Sequence, residues 1–144
     1  NPKFEHKLNF IAEMTKHFSQ QPPSRSVLVG DLNIAPLAED VWSTRQLRNT
    51  VSHTAIEREK LLALGEEGGW TDSVRAHFGP NEFLFSWWSY RARDWLASNR
   101  GRRLDHIWVS RDLASKVGAV TIEIALRGAE KPSDHVPLTI TLQQ

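Results

Sequence analysis

The chain has 144 residues, no cysteine and a formal charge of +1, from 18 lysines and arginines against 17 acids. That length suits one domain, 1–144, with a sizeable core. The lack of cysteine excludes disulfides, thiolate metal sites and thiol nucleophiles, so any metal would be held by oxygen or imidazole. No apolar run approaches the ~20 residues of a membrane span, and the opening Asn1-Pro2-Lys3-Phe4 has neither a signal peptide's layout nor an initiator methionine. The expectation is an internal piece of a soluble, cytoplasmic protein with no membrane partner.

Phe4, Leu8, Ile11, Met14 and Phe18 recur at helical spacing, which predicts an amphipathic helix over residues 3–19 packed on a sheet. Gln21-Pro22-Pro23-Ser24 ends it and leads to an apolar strand at 27–29. That strand stops at Gly30 and delivers Asp31 and Asn33 to a sheet rim, where ligands of open α/β sheets usually bind. The same residues could form only an Asx turn. A polar excursion follows to about Ser52. Thr54, with Glu57 in the capping-box position, predicts a helix through Leu64 stopped by Gly65 and Gly68-Gly69.

Trp70-Thr71-Asp72-Ser73 predicts the start of a short helix ending at Gly79-Pro80, and the aromatic run Phe83 to Tyr90 reads as strand. From Arg91 to Arg103 five arginines face one aspartate, with Trp87, Trp88 and Trp95 beside or among them, which predicts an exposed basic loop. Arginine suits bidentate phosphate contacts, and aromatics beside it suit nucleic acid. Strands are predicted at 104–109, 120–126 and 136–142, the last two alternating with period two, with a helical link at Arg111 to Lys116. Together with the strand at 27–29 they would form one sheet.

Asp105 stands just after Arg103, where it could be a surface ion-pair partner or a functional group. The pair Asp134-His135 could cap a turn or supply a carboxylate and an imidazole. Carboxylates, an imidazole and an amide at one sheet edge are the parts a phosphodiester hydrolase requires.

Four motifs, Gly30-Asp31-Leu32-Asn33, Phe85-Ser86-Trp87-Trp88-Ser89-Tyr90-Arg91, Asn99-Arg100-Gly101-Arg102-Arg103-Leu104-Asp105 and Lys131-Pro132-Ser133-Asp134-His135, resemble in order and spacing those of the exonuclease III family of DNA repair nucleases. The family includes AP endonucleases and lies in the endonuclease/exonuclease/phosphatase superfamily. The resemblance implies a DNase I-like α/β fold, of which this chain would be one half: the carboxy-terminal half of a four-layered α/β sandwich, with a mixed β-sheet and helices on its outer face. The first half, with its metal-binding glutamate and its tyrosine, would be absent.

The resemblance further implies abasic-site endonuclease and 3'-5' exodeoxyribonuclease activity with Mg2+, or alternatively Mn2+. Asp31 would activate or orient the attacking water, Asn33 hold the scissile phosphate, Asp105 orient His135, His135 touch the phosphate or share in proton transfer, and Asp134 lie on the metal side. Trp87 and Leu104 fall at the apolar walls of a pocket for a base-less sugar. DNA contacts are expected from Trp87, Tyr90, Arg91, Arg93, Arg100, Arg102 and Leu104. Besides DNA, the expected partner is the first half of the domain or a second copy of this chain, and the chain alone should have little activity. A non-catalytic DNA-binding fragment and a phosphatase of the same superfamily are the alternatives.

Overall fold

A computed structural model describes all residues, Asn1 to Gln144. Helix α1 (Pro2–Gln20) starts at Asn1, whose side chain accepts from the Lys3 amide, with proline in the first turn where no amide hydrogen is needed. Strand β1 (Val27–Asp31) follows, then short α2 (Thr44–Leu47) and α3 (Ala55–Gly68). The Thr54/Glu57 capping box starts α3 as the spacing predicts, and Gly69, at φ +75°, ends it in the left-handed conformation. Gly65 lies inside this helix, facing the Trp108 ring. Strand β2 (Trp70–Asp72) comes directly after, where helix alone was expected, and Asp72 then caps α4 (Ser73–Phe78). Helix α5 (Trp95–Ser98) precedes β3 (Asp105–Ser110), β4 (Val117–Ile122) and β5 (Leu138–Leu142).

The expected single sheet is two. One has the order β1-β3-β2 and the other is the pair β4-β5. Every pairing is antiparallel, in place of the mixed sheet expected. Side chains alternate across a strand, so Leu28, Trp70 and Trp108 share one face of the first sheet and pack with Ile11 of α1 and Leu61 and Leu64 of α3. Ile107 of β3 points the other way, into a cluster with Val74, Leu84 and Val120, flanked by Leu138 and Ile140 of the second sheet. Val27 and Val29 share that second face but remain 43% and 64% exposed, because the β4-β5 pair covers β3 and not β1.

Three further departures have local causes. The alternation at 120–126 predicts a longer strand, but pairing ends at Ile122 and a 3-10 turn takes Ile124–Gly128, leaving Ile124 and Leu126 exposed. The last strand pairs from Leu138 rather than Val136, since Pro137 has no amide hydrogen for a ladder. The aromatic run 83–90 makes no strand; its only ladder-type pairings are single bridges of Trp87 to Arg102 and to His135.

Candidate functional site

Asp31 and Asp105 are register partners at the open end of the β1–β3 ladder, so their side chains leave the same face side by side. The strand runs through Gly30, and the turn falls instead at Asn33, which adopts φ +53°. Asparagine tolerates that region better than most residues. The Asx turn is present: Asp31 Oδ1 accepts the Asn33 amide at 2.9 Å. Its other oxygen remains free to face His135 Nε2 at 3.7 Å. Asp31 thus gives one oxygen to the turn and presents the other to His135.

His135 Nδ1 donates to Asp105 Oδ2 at 2.8 Å. Asp105 therefore pairs with the imidazole and not with Arg103. Burial by itself lowers the affinity of His135 for a proton, but the hydrogen bond to Asp105 and the charges of Asp105, Asp31 and Asp134 outweigh it and raise its pKa above the usual imidazole value. Asp134 lies to one side, its Oδ2 accepting the Trp87 indole N–H at 3.0 Å. Asp31, Asp105 and His135 bring donor atoms within 4.8 Å of one another. Asp134 is outside that group. Asn33 is exposed beside Asp31.

Fully buried Ser86 staples these parts together. Its hydroxyl oxygen accepts the amides of Leu104 at 2.9 Å and Asp105 at 3.1 Å, and its carbonyl accepts the Val136 amide at 2.8 Å. Nothing in the spacing of the sequence singles out this serine within its aromatic run.

The basic stretch divides. Arg91, Arg93 and Arg100 are exposed, whereas Arg103, expected in the same exposed loop, is 0% exposed. Its guanidinium forks onto Asp40 (2.7 and 3.1 Å) and Asp72 (3.0 and 2.8 Å), and Arg75 joins the network through Asp40. Burial disfavours its charge, but Asp72 and Asp40 more than compensate and push its pKa up. The sequence signal for this network was faint, because Asp40, Asp72 and Arg103 are far apart along the chain.

Arg102 stacks 5.0 Å over the Trp87 ring and Arg100 4.6 Å over Trp42. With Leu47 and Arg91 these residues line a cleft of about 320 Å³. The Tyr90 hydroxyl donates to the Pro132 carbonyl at 2.7 Å, tying the aromatic loop to the loop that carries Asp134 and His135. Leu104 is 4% exposed, in a cluster with Ala35, Val41 and Leu47 beneath Trp87. A second groove, about 400 Å³, runs from Asp31 and Asp105 past Val29 to Val136 and Leu138.

Residues 10–135 match the Endonuclease/Exonuclease/phosphatase family. Exodeoxyribonuclease III of Haemophilus influenzae is 32% identical over 94% of this chain and 53% of its own length. Among solved structures, an AP endonuclease from Archaeoglobus fulgidus superposes with a TM-score of 0.90 at 31% identity, covering 100% of this chain and 56% of that one. A Neisseria 3' phosphatase bound to product DNA hairpin gives 0.89 at 29% identity, covering 100% and 56%. The chain spans about half the length of the curated relatives it matches. Both the matched region and the superposed DNase I-like fold take in Asp31, Asp105 and His135, and the chain belongs to the endonuclease/exonuclease/phosphatase family.

Proposed function

We propose that the chain is the carboxy-terminal half of a DNA repair nuclease of the exonuclease III type, hydrolysing phosphodiester bonds at abasic sites and from 3' ends. The observation that carries this reading is the hydrogen-bonded Asp105–His135 pair set against Asp31, beside exposed Asn33 and next to an arginine- and tryptophan-lined cleft.

Each group has a part in the reaction. Asp31 Oδ2 accepts a hydrogen bond from the attacking water and takes its proton. The Asn33 side-chain amide donates to a non-bridging phosphate oxygen. Asp105 keeps Nδ1 of His135 protonated, which turns Nε2 toward the phosphate, and the raised pKa favours the cationic ring that stabilises charge there. Trp87, Tyr90, Arg91, Arg93, Arg100 and Arg102 contact DNA, the arginines meeting phosphates with no acid partner of their own. Leu104 supports Trp87 from below rather than meeting DNA directly.

Asp134 would hold Mg2+, or alternatively Mn2+. Trp87 occupies one of its oxygens and leaves the other, and a carboxylate oxygen is the donor a hard cation takes. The His135 imidazole, a nitrogen donor, is a poor match for so hard an ion. A bound cation would supply charge neutralisation on the phosphate. One carboxylate is few for magnesium, so the metal site, and with it robust activity, needs the amino-terminal half. That half, or a second copy of this chain, would also cover Val27 and Val29.

The test is to assay the purified chain on an abasic duplex with magnesium, alone and with a separately made amino-terminal half. Cleavage only in the mixture, lost with Asp31→Asn, supports the reading. Robust cleavage by the monomeric chain alone would overturn the division of roles. Removal of a terminal 3' phosphate without strand cleavage would favour a phosphatase, the activity named for the Neisseria neighbour. Binding without either would leave a DNA-binding fragment.

A further inference from the structure

Four consecutive carbonyls follow the Asp31–Asn33 turn, and each is gripped by a side chain from a different place. Lys7 Nζ of α1 donates to the Asn33 carbonyl at 3.1 Å. His106 Nε2 of β3 meets the Ile34 carbonyl at 2.8 Å, His53 Nδ1 the Ala35 carbonyl at 2.8 Å, and Arg58 Nε of α3 the Pro36 carbonyl at 2.9 Å. No backbone amide donates to any of these four oxygens. Ile34 and Ala35 are 0% exposed, so water cannot serve in their place.

We propose that Lys7, His106, His53 and Arg58 are positioning residues, which by holding these carbonyls fix the backbone that presents Asp31 and Asn33. The roles of those two residues rest on the function proposed above. The hold itself rests on three features. Asn33 sits at φ +53°, a conformation that persists only where its surroundings dictate it. The gripping groups are themselves fixed. Lys7 is ion-paired to fully buried Glu57, whose carboxylate also accepts the Ser52 and Thr54 amides. His53 Nε2 takes the Thr44 hydroxyl at 2.7 Å, and His106 stands edge-on to Trp108 in the core.

The third feature is tautomeric. Burial pushes both imidazoles below their ordinary pKa, His106 to about 4, so both are neutral near pH 7. A carbonyl only accepts. The single ring proton must therefore lie on Nε2 of His106 and on Nδ1 of His53, opposite tautomers chosen by adjacent carbonyls. Nδ1 of His106, without a partner, agrees with this.

Glutamine presents its amide N–H near the place of Nε2, and asparagine near that of Nδ1. H106Q and H53N thus keep the donor, whereas H106L and H53L remove it. The ¹⁵N-labelled full chain is examined below its unfolding temperature for the Asn33 backbone coupling constant and for exchange broadening over residues 31–36. The Leu variants are expected to release Asn33 from its left-handed conformation while the β1–β3 amide shifts stay in place, and the Gln and Asn variants to restore it. A merely space-filling role would lower the Tm in all four and leave Asn33 unmoved, which overturns the proposal. Should the Leu variants not fold, K7M against K7R asks the same at the Asn33 carbonyl from the rim of the fold.

In any preparation that cleaves an abasic duplex, H106L should lower kcat by roughly ten- to a hundred-fold with KM retained, and H106Q should recover it. Cleavage absent throughout with residues 31–36 intact in the parent and loosened in H106L would count against the proposed function and not against this hold.

Discussion

The Trp87 indole N–H donates to Asp134 Oδ2 across 3.0 Å, so one ring serves both the aromatic cleft and the carboxylate beside the site. Arg102 lies over the face of the same ring. Trp87→Phe keeps an apolar ring and deletes the donor. Losses of such supporting hydrogen bonds cost about ten- to a hundred-fold in metal affinity or activity. We expect a rise of that order in the magnesium concentration needed for half-maximal cleavage in the reconstituted domain, with the far-UV spectrum unchanged. An unaltered magnesium requirement would place Asp134 away from the metal.

Asp105→Asn removes the hydrogen-bonded carboxylate that does most to offset desolvation at His135. The imidazole should then titrate lower than in the parent, where it titrates above its ordinary value, as followed by NMR of the ring. A raised folded-state pKa stabilises the fold below the unfolded value of about 6.5, and that contribution is lost as pH rises through the folded value. The variant should lack this contribution and lose activity by on the order of a hundred-fold or more.

His106 and His53 act in the opposite direction on stability. Their folded pKa values lie below the unfolded one, His106 at about 4. Between that value and about 6.5 the unfolded chain therefore binds the extra protons, and stability falls as pH drops through this window. Thermal unfolding should show Tm already declining from about pH 6.5 to 5, above the range where most carboxylates titrate. H106Q should flatten the decline. A decline of equal steepness in H106Q would assign the acid sensitivity elsewhere.

Arg91 and Arg93 are exposed and pair with no carboxylate. If both meet phosphates, the salt dependence of duplex binding by the reconstituted domain should flatten by roughly 0.9 in log–log slope for each one replaced by alanine. An unchanged slope in the double variant would return this loop to a solvated surface.

Arg103 should respond differently from its neighbours. Arg103→Met leaves fully buried Asp40 with Arg75 alone and partly buried Asp72 without its cation, and breaking a buried pair in this way costs about 3–5 kcal/mol. Chemical denaturation should show a loss of that size, whereas Arg100→Met should leave stability within about 0.5 kcal/mol.

Periodicity and caps carried much of the fold. The α1 stripe and the Thr54/Glu57 box mark their helices because both signals are local. Strand partners are not local, which is why β2 was read as helix: three residues after a left-handed glycine have too little length to show period two. The alternation at Ile124 and Leu126 misled because a 3-10 turn also spaces side chains, with no sheet to bury them. For the candidate site, Asp31 and Asp105 stand at strand ends and Asn33, Asp134 and His135 in the adjoining loops, and all five are legible from short motifs. Ser86, His53 and His106 are not, since their partners are backbone atoms, which no side-chain pattern records.

The register that sets Asp31 opposite Asp105 joins an early strand to a late one. Closing so long a loop is entropically costly and slow relative to helix formation. During synthesis the backbone edge of β1 therefore waits unpaired until β3 has emerged, and His135 follows later still. The waiting strand is short and bounded by Arg25 and Asp31, charges of the kind that discourage pairing with a neighbouring chain. Asp31 would thus guard the nascent polypeptide against self-association before it has any site to belong to.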